Sequence, residues 1–269
     1  MEATALAERV LARDARAVAR AISMVEDGAE GLAELSAALF PHTGRAYTIG
    51  LTGAPGVGKS TLAGEMVRLA RGRELSVAVL AIDPTSPFTG GALLGDRLRM
   101  QIHATDPGVF IRSMATRGHL GGMALAAPEA VRILDASGRD LVIVETVGVG
   151  QAEVDVAAAT DTTLVVVSPG WGDAVQVAKA GILEVADVFV VNKADREGAD
   201  RVVAGVEAML GLAPAPDDAW RPPVLKTAAS SGAGIPEVLD AIGRYRAHAR
   251  DRMEGRRRLR GEYRLREVL

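Results

Sequence analysis

The sequence has no cysteine, only four histidines, and few aromatic residues, with Phe, Trp and Tyr together at 3%. Without thiols neither a disulfide framework nor a thiolate metal site can form, an absence compatible with the reducing cytoplasm. His42, His103, His119 and His248 are scattered rather than set at metal-ligand spacing. Long apolar runs are missing as well. The opening stretch "MEATALAERVLARDARAVARA" is interrupted by charge throughout, and nothing resembles a membrane span or a signal peptide, so a soluble protein is expected. The net charge is only −3, but residues 244–269 hold ten Arg against four acids, which leaves that tail at +6 and the remainder at −9. Its only stacking side chains are Tyr245 and Tyr263, so the tail is not expected to bind nucleic acid.

What is present suits an α/β protein. With 269 residues and 48% hydrophobic composition, the chain can bury a sizeable core in one principal domain with appendages. The stretch "LAERVLARDARAVARAISMVED" sets Leu6, Val10, Leu11, Ala17, Val18 and Ile22 on one helical stripe, a second helix covers "AEGLAELSAALF", and Pro41 ends the pair. From Tyr47 onward, "YTIGL", "SVAVLAID", "GVFIRSM", "DLVIVET", "TTLVVVSP", "DVFVVNKAD" and "PPVLKTAA" alternate with helical stretches. That alternation predicts a mostly parallel sheet with helices on both faces. "LGLAPAPDDAWRPP" reads as a loop before the last strand. The expected organisation is a helical extension over 1–44, an α/β domain over 45–243 and a basic helical arm over 244–269. In such a sheet ligands bind at the carboxyl ends of the strands, where every candidate below falls.

The sharpest candidate is "GAPGVGKST". Gly53, Gly58, Lys59 and Ser60 fit G-x-x-x-x-G-K-[ST], a loop whose backbone N–H groups curl around phosphate oxygens while the lysine reaches the terminal phosphates and the serine suits Mg²⁺. "RAYTIGL" before it and "STLAGEMVRLARG" after it supply the strand and helix that the motif requires, so Gly53, Ala54, Pro55, Gly56, Val57, Gly58, Lys59, Ser60 and Thr61 are expected to cradle phosphate. After "DVFVV" come Asn192, Lys193 and Asp195, an N-K-x-D arrangement in which the aspartate accepts from the ring N–H and exocyclic amine of guanine and rejects adenine. "LKTAASSGAG" could add Thr227, Ala228 and Ala229, with N–H groups directed at the guanine carbonyl.

A third segment, "VIVETVGVGQAE", places Glu145, Thr146, Val147 and Gly148 where related switches carry D-x-x-G. Glu145 can hold Mg²⁺ or its water, and Gly148 can offer its N–H to the γ-phosphate, so that losing this phosphate would release the loop. Gln151 is a candidate for orienting the attacking water. Upstream, "AIDPTSPFTGGALLGDRLRM" presents Asp83 and Asp96 as Mg²⁺ contacts, with Arg97 and Arg99 as charge stabilisers. Lys59, Asp83, Gln151 and Arg99 are thus the candidates for the chemistry.

Together "GAPGVGKST", "AIDPTSPFTGGALLGDRLRM", "IRSMATRGHLGGMA", "VETVGVGQAEVDV", "GWGDAVQVAKAGILEVADVFVVNKAD" and "RAISMVEDG" resemble the MeaB/ArgK family, the GTPase chaperones of B12-dependent acyl-CoA mutases. The likeness runs from about Arg16 to Ile242. It implies a P-loop G domain of the SIMIBI class, GTP and Mg²⁺ as ligands, homodimerisation, and gating of adenosylcobalamin delivery to a mutase such as methylmalonyl-CoA mutase. It also implies Lys59 and Ser60 at phosphate and Mg²⁺, Asp83, Asp96 and Glu145 near the metal, and Asn192 and Asp195 at guanine. Gly170 to Lys179, "GWGDAVQVAK", resembles the additional loop through which nucleotide state reaches the mutase. Other readings are a nickel-insertion GTPase metallochaperone, against which the absent cysteines argue, a P-loop kinase acting on a small molecule or protein, and a nucleotide-binding module without useful turnover.

Overall fold

The computed structural model describes residues 2–83, 103, 105–115, 123–146, 159–170, 185–212, 219–251 and 255. All seven apolar runs form strands: β1 Tyr47–Thr52, β2 Val77–Asp83, β3 Val109–Ala115, β4 Leu141–Thr146, β5 Thr162–Val167, β6 Val188–Val191 and β7 Val224–Lys226. They hydrogen-bond in the order β3-β2-β4-β1-β5-β6-β7, a mostly parallel sheet with flanking helices. Every residue of β4, β5 and β6 is buried, as expected when both faces of a parallel sheet are covered. Among the described residues no helix is long and apolar enough to cross a membrane.

The amino-terminal reading needs a correction. Three helices form there instead of two: α1 Glu2–Leu11, α2 Ala15–Asp27 and α3 Leu32–Leu39. The apolar stripe continues across the break, since Leu6, Val10, Ala17, Val18 and Ile22 are all buried. Periodicity alone therefore hides it. Arg13 takes a left-handed φ of 63°, and Asp14 caps α2 by accepting from the N–H groups of Arg16 (2.9 Å) and Ala17 (3.2 Å). Pro41 sits in a 3-10 turn, Phe40–His42, directly after α3.

Four further helices complete the described elements: α4 Lys59–Arg71, α5 Met123–Ala136, α6 Ala199–Leu212 and α7 Ile235–His248. Contacts divide the chain into two units, one of residues 1–49 and 63–147, the other of residues 50–62 and 148–269. In the first, α2 is joined to β3 by the Arg112 guanidinium, which donates to Ser23 Oγ (2.9 Å) and Glu26 Oε2 (2.7 Å). The buried Asp135 carboxylate of α5 accepts from the N–H groups of Gly44, Arg45 (3.1 Å) and Ala46 (2.8 Å), which fixes the entry into β1. In the second, Val165, Val167, Phe189, Val191 and Val206 form the apolar centre, with β5 and β6 supplying most of it.

Candidate functional site

The second unit carries the phosphate loop and the N-K-x-D turn together. In register, Val167 stands opposite Val191 and Val191 opposite Lys226, so Ser168, Asn192 and Thr227 leave β5, β6 and β7 at one carboxyl edge. The loop Gly53–Gly58 leaves β1 and runs into α4, whose first residue is Lys59. Close approach explains its glycines. A Cβ on Gly53, at φ 129°, would lie 2.0 Å from the Val166 carbonyl oxygen, and one on Gly58, at φ 99°, would lie 2.3 Å from Asn192 Nδ2. The Lys59 ammonium is buried and donates to the carbonyls of Gly53 (2.6 Å) and Ala54 (2.9 Å). Its positive charge is thus stored on the loop itself, at the start of a helix whose leading N–H groups favour anions.

Asn192 is the joint of this arrangement. Its Nδ2 donates to the Val57 carbonyl (2.8 Å), while its Oδ1 accepts from Thr227 Oγ1 (3.0 Å) and from the Ala229 N–H (3.1 Å). Lys193, at a left-handed φ of 59°, donates from Nζ to the Gly56 carbonyl at 2.5 Å. Nothing in the sequence announces these struts, because they join residues more than 130 positions apart. Asp195 is exposed beside them, which leaves its carboxylate open to a ligand's edge. In the loop after β7 the Ala228 N–H donates to the Ala233 carbonyl (3.0 Å) and the Ala229 N–H to Asn192, so both brace the turn.

In the first unit, Ala81 of β2 stands opposite Glu145 of β4 and Ile82 opposite Thr146. Asp83 and Glu145 therefore share one carboxyl edge, and the Glu145 side chain is buried. The acids of this edge, Asp83 and Glu145, are hard oxygen groups, which is the chemistry Mg²⁺ selects. Among the described residues no group of three His, Asp or Glu side chains converges as a ready-made metal cage. Asp96, Arg97, Arg99, Val147, Gly148 and Gln151 lie outside the described residues, as do positions 171–179 of the "GWGDAVQVAK" segment and most of the basic arm after position 251.

Known proteins resemble this chain in both sequence and fold. The family model described as methylmalonyl-CoA mutase-associated GTPase MeaB matches residues 18–269. A protein of Pyrococcus abyssi named as a GTPase is 54% identical over 90% of this chain and 75% of its own length. GTPase ArgK of Escherichia coli is 41% identical over 78% of this chain and 64% of its own. Among solved structures, one titled LAO/AO transport system kinase superposes with a TM-score of 0.82 at 28% identity, covering 99% of this chain and 82% of that one. Structures of the hydrogenase maturation factor HypB share the fold, with a TM-score of 0.54 at 18% identity for the protein from Helicobacter pylori. A guanine-nucleotide loop of this build, in a chain matched along nearly its whole length, belongs to a GTPase of the methylmalonyl-CoA mutase-associated MeaB family.

Proposed function

We propose that this GTPase is a nucleotide-driven chaperone that binds a B12-dependent acyl-CoA mutase, of the methylmalonyl-CoA type, and gates delivery of adenosylcobalamin to it. The observation that carries the reading is the bracing of the phosphate loop by Asn192 and Lys193, within a chain whose family is named for association with that mutase. Binding of GTP draws the Lys59 ammonium from the Gly53 and Ala54 carbonyls to the β- and γ-phosphate oxygens. There it offsets the charge that develops as water attacks the γ-phosphorus and the bond to the β-γ bridging oxygen breaks. The loop from Gly53 to Thr61 supplies N–H donors, Ser60 and the acids Asp83, Asp96 and Glu145 serve Mg²⁺, and Asp195 reads guanine while Asn192 holds its turn in place. When bound, Mg²⁺ neutralises phosphate charge. Gly148 senses the γ-phosphate, Gln151 orients the water and Arg99 stabilises charge.

At the level of the molecule, residues 1–44 form a helical extension to a G domain over 45–243, and the arm over 244–269 joins two copies in the cytoplasm. The decisive experiment measures GTP hydrolysis by the purified chain with and without the mutase. Stimulation by the mutase, abolished in Lys59→Ala, is the expected result. Hydrolysis that the mutase leaves unchanged, with no complex by gel filtration in any nucleotide state, would overturn the chaperone role and leave the GTPase.

A further inference from the structure

At the amino-terminal edge of β2, β3 and β4, the end of these strands opposite Asp83 and Glu145, three arginines gather. Arg139, one of the two residues leading into β4, is only 5% exposed, and its Nε has no hydrogen-bond partner among the described residues. Its guanidinium carbon lies 5.9 Å from the centroid of the Phe110 ring of β3. Arg13, between α1 and α2, lays its guanidinium against Gly138, where a Cβ would come within 2.9 Å of it. Arg71, at the end of α4, lies against Gly108, where a Cβ would come within 2.2 Å of the guanidinium carbon. Glycines at 108 and 138 are what let both guanidinium groups come down onto the backbone.

Of the acids nearby, Asp106 is paired with Arg71, so the cations without a carboxylate partner are Arg13 and Arg139. Asp106 gives both oxygens to Arg71, at 2.8 and 3.0 Å, and also accepts from the Gly108 N–H at 2.7 Å. Asp140 spends Oδ2 on the N–H (2.7 Å) and hydroxyl (2.6 Å) of Ser76. Neither Arg13 nor Arg139 makes an ion pair or hydrogen bond to a carboxylate among the described residues. Burial lowers the Arg139 guanidinium pKa first, and the charges of Arg13 and Arg71 lower it further, with the Asp140 charge acting in the opposite direction. A buried cation crowded by like charges is the electrostatic complement of an anion.

We infer that Arg13 and Arg139, beside the Arg71–Asp106 pair, form a second anion site, for an oxyanion of the phosphate class, separate from the nucleotide loop. Planar guanidinium groups donate in pairs, and a tetrahedral dianion can accept from several of them at once, which a carboxylate with two oxygens does less well. The phosphate comes either as the free ion or as the terminal group of an ester. The site rests on the first unit alone and does not depend on the mutase reading.

The test uses the full chain saturated with Mg²⁺ and a non-hydrolysable GTP analogue, so that the nucleotide loop is filled before inorganic phosphate, methyl phosphate and acetate are titrated calorimetrically. Saturable binding of one inorganic phosphate or one methyl phosphate per chain is expected, and the tighter of the two identifies the free ion or the ester as the occupant. Arg13→Gln, at an exposed position, should weaken that binding about tenfold without changing the GTPase rate, and Arg139→Gln should weaken it further. Arg20→Gln, on α2, is the control and should bind as the parent does. Phosphate binding that is equal in parent and Arg13→Gln, absent in the parent, or no tighter than acetate would overturn the site.

Discussion

Gly58 touches both halves of the nucleotide site, and its hydrogen is the only substituent the space admits. In Gly58→Ala the new methyl would meet Asn192 Nδ2 at 2.3 Å, at a φ of 99° that alanine rarely adopts. Strain of about 1–3 kcal/mol falls on the loop. GTP affinity should therefore drop on the order of ten- to hundredfold in equilibrium binding, while the circular dichroism spectrum stays that of the parent. Lys59→Ala should remove turnover altogether, because no other described ammonium donates to the Gly53 and Ala54 carbonyls. Asp195→Asn tests the base reader by the opposite route, since an amide can donate to the extra carbonyl of xanthine that a carboxylate repels. Its preference should move from GTP toward XTP in competition binding, and an unchanged ratio would remove Asp195 from the role. These residues stand out as candidates in the sequence because their types and spacing carry the chemistry. The bracing by Asn192 does not, because a hydrogen bond from residue 192 to the carbonyl of residue 57 depends on which strands lie side by side.

Among the elements, α5 shows how one carboxylate can hold a strand in place. Asp135 accepts from three successive backbone N–H groups, those of Gly44, Arg45 and Ala46, at the entry to β1. Asp135→Ala would remove the acceptor of these donors in a largely buried site and should destabilise the protein by about 2 kcal/mol or more in urea unfolding. A parent-like midpoint would show that water replaces the carboxylate there. Asp140 gives a pH dependence of known sign. The Ser76 hydroxyl and then the Ser76 N–H hold its folded-state pKa below the ordinary carboxylate value, with Arg13 and Arg139 acting in the same direction. Its stabilising contribution is therefore complete above the unfolded value, near about pH 4, and is lost as pH falls through the lowered folded value. Urea midpoints measured from pH 6 down to 3 should fall for the parent and fall less steeply for Asp140→Asn. The strands themselves were readable as apolar runs, since burial on both faces leaves little room for polar residues. The break between α1 and α2 was not, because the buried stripe continues through it and the left-handed turn is taken by Arg13 instead of glycine.

For the whole molecule, the consequence of the proposed role is thermodynamic. If the mutase raises the hydrolysis rate by favouring one arrangement of the nucleotide site, then the nucleotide, by linkage, changes mutase affinity by the same factor that the mutase changes nucleotide affinity. A ligand with equal affinity for both arrangements would shift nothing, so the γ-phosphate has to be the group that distinguishes them. Titrating the mutase against the chain loaded with GDP and with a non-hydrolysable GTP analogue should therefore give two different dissociation constants. The reciprocal experiment, measuring the ratio of GDP to analogue affinity with and without saturating mutase, should return the same factor. A coupling of about 1–3 kcal/mol, equivalent to roughly 5- to 150-fold, is the range in which such switches work. Substituting Asp173 or Lys179, in the segment that resembles the family's communicating loop, should reduce the factor while leaving GTP affinity nearly unchanged. Equal mutase affinities in both nucleotide states would mean that the γ-phosphate does not reach the partner surface, whatever the hydrolysis rate.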